Sequence, residues 1–154
     1  KPAASATPIA ELRHSKTHTP AMLAVRYDRA QGRCSEGTLQ MLAKPDFDAL
    51  VTAWSTSDPL PKDGTCTAPG VERMPERTDY PRDPQGGLQT GAAQILVLVE
   101  RDGTPQATHP VCATSEAFGR SAAQTAKQLT YSPVRCGAQP GRAVLMVPLE
   151  FDPH

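Results

Sequence analysis

The chain has 154 residues, 16 basic against 16 acidic side chains and 38% hydrophobic residues. That length suits one ordinary domain or two small ones, and formal neutrality lacks the basic excess with which a nucleic-acid binder meets phosphates, so no nucleic-acid partner is expected. Apolar runs such as Ile95 to Val99 fall far short of the roughly 20 residues of a membrane helix, and 16 Pro with 11 Gly predict many turns and short elements.

Residues 1–20 carry Ala, Ser, Thr and Pro with little periodicity and read as a flexible N-terminal arm. Met22 to Tyr27 alternates loosely enough for a strand, Asp28 to Gly32 supplies turn residues, and Arg33 to Leu42 returns as a second extended run. Pro45 and Asp46 mark a helix start. Phe47, Leu50, Val51 and Trp54 then fall at i, i+3, i+4 and i+7 on one helical face. From Thr56 to Asp79, Pro, Gly and charge leave room for no more than a short edge strand.

The second half reads more sharply. Gln94 to Glu100 is aliphatic and β-branched, Arg101-Asp102-Gly103 is a hairpin-turn signature, and Thr104 to Ala113 returns as a strand. Pro105 and Pro110 place that strand at an edge or make it irregular. Ser115 is a helix cap, followed by a narrow stripe of Phe118, Ala122, Ala126 and Leu129 suited to close packing on a sheet. Tyr131-Ser132-Pro133 ends the helix and Cys136 to Gly141 reads as a loop. In the last strand, Arg142 to Phe151, alternation sends Ala143, Leu145, Val147, Leu149 and Phe151 to the core face and Val144, Met146, Pro148 and Glu150 to the other. Both halves run strand, Gly turn, strand, helix, the helices beginning near Phe47 and near Phe118. Residues 21–79 are therefore a candidate degenerate β-β-α-β module, the repeat itself covering about 20–76, although any hairpin followed by a helix shares this outline.

Cys34, Cys66, Cys112 and Cys136 allow three pairings and suit two disulfides formed in an oxidising compartment, which would brace a small core. Closure of local loops favours Cys34 with Cys66 and Cys112 with Cys136. The alternative is four reduced thiols in a cytosolic protein. No CxxC pair is present, so neither a redox dithiol nor a zinc site is expected. His14 and His18 share a helical spacing but lie in a Ser/Thr-rich stretch close to Pro20; His109, before Pro110, reads as an exposed strand residue rather than a general base, and His154 stands at the end. No nucleophile sits in a GxSxG elbow, no Gly-rich phosphate loop follows a strand, and Asp46 with Asp48 is explained by a helix start. A non-catalytic protein, without metal or small-molecule cofactor, is the expectation.

Residues 80–152, about half of the chain, resemble the C-terminal domain of TonB, the periplasmic energy transducer of the Gram-negative envelope. The resemblance rests on the order of local features: Tyr80-Pro81 at the start, Gly91 before the first strand, Asp102-Gly103 at the hairpin, the Ala-rich helix from Ala117 to Lys127, Leu129-Thr130-Tyr131-Ser132-Pro133, Gly137 to Gly141, and a final strand closing on Pro148-Leu149-Glu150-Phe151. It implies an α+β fold, a β-β-α-β module with an antiparallel sheet, here present once or as two tandem modules. The family commonly carries a basic-aromatic cluster where this chain has Gln128-Leu129-Thr130-Tyr131, and a small-residue second strand where this chain has His109-Pro110 and Cys112.

What the resemblance implies is binding. In the family the last strand lies at a sheet edge and accepts an extended peptide from a protein partner, main-chain hydrogen bonds giving affinity and side-chain pockets selectivity. Carried over, that edge is Arg142 to Glu150, with Arg142, Val144, Met146 and Glu150 meeting the partner and Tyr80 and Pro81 nearby; the alternative is that the first half covers it. The implied partner is a protein of the cell envelope or a secretion system. The implied location is the periplasm or the exterior, with any membrane attachment through an anchor upstream of Lys1. A second expectation, of a different class, is an inhibitor or immunity-type protein that blocks its target with a disulfide-braced loop from Pro59 to Pro69.

Overall fold

A computed structural model of the protein describes residues 10–11, 25–56, 70–73, 91–132, 134–136 and 139–151. Along them run β1 (Ala10–Glu11), β2 (Tyr27–Asp28), β3 (Arg33–Cys34), β4 (Leu39–Gln40), α1 (Lys44–Thr56), β5 (Gly70–Arg73), β6 (Gly91–Val99), β7 (Pro105–Ala113), α2 (Glu116–Gln128), β8 (Thr130–Ser132), β9 (Val134–Cys136), β10 (Gln139–Gly141) and β11 (Ala143–Phe151). The class is α+β.

Strand β6 decides the architecture. All nine of its residues are buried, and a strand apolar on both faces needs cover on both. It lies at the centre of a five-stranded sheet ordered β1-β11-β6-β7-β4, paired antiparallel along its whole length with β11, from Gly91 opposite Phe151 to Val99 opposite Ala143. On one face Ala93, Ile95, Val97 and Val99 meet Leu145, Val147 and Leu149 of β11 and Phe118, Ala122 and Ala126 of α2. On the other face Ala92, Leu96 and Leu98 meet Val144 and Met146 of β11 and Phe47 and Val51 of α1. Helix, sheet and helix thus form three layers, and each fully buried aliphatic or aromatic side chain contributes on the order of 2 kcal/mol.

Local chemistry sets the elements. Glu100 and Thr104 close the β6–β7 hairpin around three residues, Gly103 takes φ 90°, and Asp102 Oδ1 accepts hydrogen bonds from the Thr104 amide and hydroxyl. This is the hairpin in which a turn is followed by a left-handed glycine. Those two bonds hold the exposed Asp102 carboxyl below the usual carboxylate range. The prolines of β7 sit beside irregularities of its ladder with β6: the register slips between Gln94 and Ile95, next to Pro110, and between Leu98 and Val99, next to Pro105. A strand missing two donors accommodates them at bulges. Ser115 caps α2, its hydroxyl accepting from the Phe118 amide at 3.4 Å, and the stripe from Phe118 to Leu129 is buried as its spacing predicts.

The first half departs from expectation. The extended run from Arg33 to Leu42 is broken at Ser35 to Thr38, where Thr38 N donates to Ser35 O and Gly37 takes φ 84°. Its two pieces part company: β3 pairs with β2, while β4 joins the main sheet beside β7. No tandem repeat is shown among the described residues; the first half supplies α1 and the β2–β3 hairpin as cover for the second half's sheet.

The cysteine pairing is also corrected. Cys34 is bonded to Cys112, with Cα atoms 5.8 Å apart, so neither the Cys34–Cys66 nor the Cys112–Cys136 bridge exists. Local loop closure is the wrong criterion when β3 lies on the sheet against β7. Of the stretch from Cys136 to Gly141, expected as a loop, the described residues are strand: Cys136 ends β9 and Gln139–Gly141 is β10, the two paired antiparallel with Cys136 opposite Gln139. Cys66, the segment Pro59–Pro69, Tyr80, Pro81, His14, His18 and His154 lie outside the described residues.

Candidate functional site

The outer edge of β11 is the place where sequence and fold converge. One side of this strand is spent on β6. On the other, β1 pairs in parallel, Ala10 opposite Leu145 and Glu11 opposite Met146. Among the described residues no other strand lies along that side. Pro148, which has no N–H to offer a ladder, stands where β11 has a described partner only in β6. The sheet therefore ends on each flank in a strand of two residues, β1 beyond β11 and β4 beyond β7, and very short flanking strands are one way a sheet blunts its edge.

The side chains expected to meet a partner have other employment. Val144 and Met146 are each 8% exposed and pack with Phe47 and Val51 under α1, so they are core rather than recognition surface, and the first half covers this face. Arg142 reaches back across the hairpin: its Nε lies 2.9 Å from Glu100 Oε1, and its Nη2 donates to Glu100 Oε2 at 3.3 Å and to Gln106 Oε1 at 2.5 Å. A guanidinium facing a carboxylate with two nitrogens fixes orientation as well as charge, and here it ties the start of β11 to the end of β6 and to β7. Glu150, part-exposed, stands opposite Ala92 near the far end of the strand. What the edge presents is main chain.

Five contributors lie outside the residues the sequence singles out. Ala10 and Glu11 fell within the arm; the one local signal is that Ile9 to Leu12 is the arm's most aliphatic, Pro-free stretch. Glu100 and Gln106 carry no motif, and only the hairpin register brings them to Arg142. Gln94 carries no signal beyond strand propensity, yet it is 3% exposed and its Oε1 accepts from the Tyr27 amide at 3.0 Å, pinning β2 to the middle of the sheet.

Away from that edge, an open cleft of ≈ 620 Å³ is lined by Arg26, Tyr27, Asp28, Gln31, Arg33, Cys34, Ser35 and Glu36. Much of its polar lining is turned inward: Ser35 Oγ accepts from the Arg26 amide and donates to its carbonyl, and Asp28 Oδ1 accepts from the amides of Ala30 and Gln31. Burial, with the negative charge of Asp48, pushes the Tyr27 hydroxyl's pKa up. Asp48 itself is bonded to Lys44 at 2.7 Å, and that bond raises the Lys44 pKa. His109 lies in β7 as expected, but it is half-buried rather than exposed, its ring tilted against Trp54 with centroids 6.2 Å apart. Among the described residues no group of three or more His, Cys, Asp or Glu side chains is placed to hold a metal ion, and no helix is long and apolar enough to cross a membrane. No protein-family model, curated protein or solved structure matches the chain.

Proposed function

We propose that this chain is a non-catalytic protein-binding module of an oxidising compartment, periplasmic or extracellular, similar over residues 80–152 to the TonB C-terminal domain. It takes an extended segment of an envelope or secretion partner along the outer edge of β11. The observation that carries this reading is β1: an extended stretch of the chain itself is seated on that edge, in parallel, at Leu145 and Met146. A main-chain edge that holds one extended segment has the chemistry to hold another, main-chain hydrogen bonds supplying the affinity. The burial of Val144 and Met146 moves selectivity away from those side chains and onto the backbone and the ends of the strand. The disulfide between Cys34 and Cys112 supports an oxidising compartment, where such bonds persist.

A partner strand and β1 compete for the same groups. Glu11→Pro, which removes a donor from β1, should raise the amount of partner recovered from an envelope extract several-fold over wild type. A synthetic peptide of residues 5–14 in large excess should lower wild-type recovery. If neither the substitution nor the peptide changes recovery, the partner does not use this edge.

A further inference from the structure

The bond between Cys34 and Cys112 has one closed end and one open end. Cys112 is fully buried, clustered in β7 with Val25, Phe47, Val51 and Val111. Cys34 is only partly buried, and it belongs to the lining of the open cleft of ≈ 620 Å³ beside the β2–β3 hairpin. Thiol–disulfide exchange proceeds by direct attack of a thiolate on one sulfur, so access decides which sulfur is attacked. The charged side chains of that lining are Arg26 and Arg33 against Asp28 and Glu36, and no net charge turns a thiolate away.

We propose that this pair is a thiol–disulfide exchange site, reduced through the cleft by a dithiol while the fold stays intact. A thiolate of the reagent attacks Cys34 Sγ, the bond to Cys112 breaks, and Cys112 leaves with the bonding electrons and takes up a proton. The reagent's second thiol gives up its proton and attacks the reagent's own sulfur in the mixed disulfide, expelling Cys34, which is protonated in turn. Two electrons and two protons pass to the cysteines, and the reagent ends as a disulfide. A monothiol lacks the second step. The Cα atoms of the pair stand 5.8 Å apart, so Cys112 remains beside the mixed disulfide and, acting within one molecule, expels the monothiol again. Noncovalent ties keep the hairpin in place once the bond is cut. Gln94 Oε1 accepts from the Tyr27 amide at 3.0 Å, the Tyr27 and Phe47 ring centroids lie 4.6 Å apart, and Gln40 Nε2 donates to the Gly32 carbonyl at 2.9 Å. Cys34 Sγ lies 3.4 Å from the Val111 carbonyl, which can accept from the thiol that reduction creates.

The test uses the full chain, oxidised and folded, with dithiothreitol as the dithiol and glutathione as the monothiol, at neutral pH. Samples are quenched with acid, alkylated in denaturant and digested with trypsin. Cys34 and Cys112 are read on peptides 34–62 and 102–120, so thiols elsewhere in the chain do not enter. Expected is a reduction rate proportional to dithiothreitol, without a plateau and unchanged by urea below the unfolding transition. A rate that levels off at the unfolding rate, or that follows urea as unfolding does, would overturn the proposal. Glutathione at equal thiol concentration should reduce the pair about tenfold less or worse, for want of the intramolecular second step, and its trapped adduct should sit on peptide 34–62. Equal reduction by the two reagents, or an adduct on peptide 102–120, would count against attack at Cys34. The reduced chain should keep the near-ultraviolet circular dichroism of its aromatic side chains, and loss of that signal would show that the fold does not outlast the bond. None of these outcomes bears on whether β11 binds a partner.

Discussion

Tyr131 is the largest fully buried side chain described, and its hydroxyl donates to the Ala126 carbonyl at 2.9 Å, closing the C-terminal end of α2. Burial raises its pKa well above the ordinary value of 10.0. In the native state the phenol therefore keeps its proton where the unfolded chain gives it up. Below that ordinary value both states are protonated and the full stability is present; as pH climbs above it, proton release favours the unfolded state and stability falls. Tyr131→Phe should cost about 1 kcal/mol at neutral pH, the net worth of the lost hydrogen bond, and should lose stability less steeply than wild type between about pH 9 and 11. Urea midpoints measured across that range check both statements, and parallel slopes for the two proteins would remove Tyr131 as the responsible group. Tyr27, whose pKa is also raised by burial, keeps the variant's slope from vanishing.

At the scale of elements, the start of β6 and the first turn of α2 are fitted to each other. A Cβ added at Gly91 would come within 2.6 Å of the Phe118 ring, which is 2% exposed in the core and has little room to swing aside. Gly91→Ala should therefore lower stability by about 1–3 kcal/mol through overpacking, read from denaturant unfolding. A second change, Phe118→Leu, should restore part of that loss if the clash is the cause. The helix in this contact was legible: the Ser115 cap and the stripe of Phe118, Ala122, Ala126 and Leu129 need only local rules. So was the hairpin at Asp102-Gly103, and so were the irregularities forced by Pro105 and Pro110. The second face of β11 was not. Val144 and Met146 alternate with the core residues and so read as an outward surface, because alternation says which residues share a face and not whether that face is covered. The clue lay in the neighbouring strand, where Ile95 to Val99 is apolar without a break, the mark of a strand buried on both sides.

At the scale of the whole molecule, the contacts that unite the halves are those least visible from sequence. Gln94 bonding the Tyr27 amide, β4 beside β7, and Cys34 bonded to Cys112 all join positions brought close only by the folding of α1 and the β2–β3 hairpin onto the sheet. The bridge spans 78 residues, and a loop of that size should contribute about 4 kcal/mol by restricting the unfolded chain. Cys34→Ala with Cys112→Ala should lower the unfolding free energy by about that amount, measured by urea denaturation without reductant. A loss below about 1 kcal/mol would mean that unfolded chains hold these halves together in some other way.

The bond between β3 and β7 also alters the protein's covalent graph. The backbone between Cys34 and Cys112 lies inside a closed ring, so the chain can be followed from one half to the other by two independent routes. Hydrolysis of any one peptide bond within the ring opens it without dividing the molecule: the hairpin, the sheet and β11 remain parts of a single covalent body until a reductant cuts the other route. Wherever proteases are met more often than reductants, the outer edge of β11 and the layer that covers its strand would stay joined after such a cut.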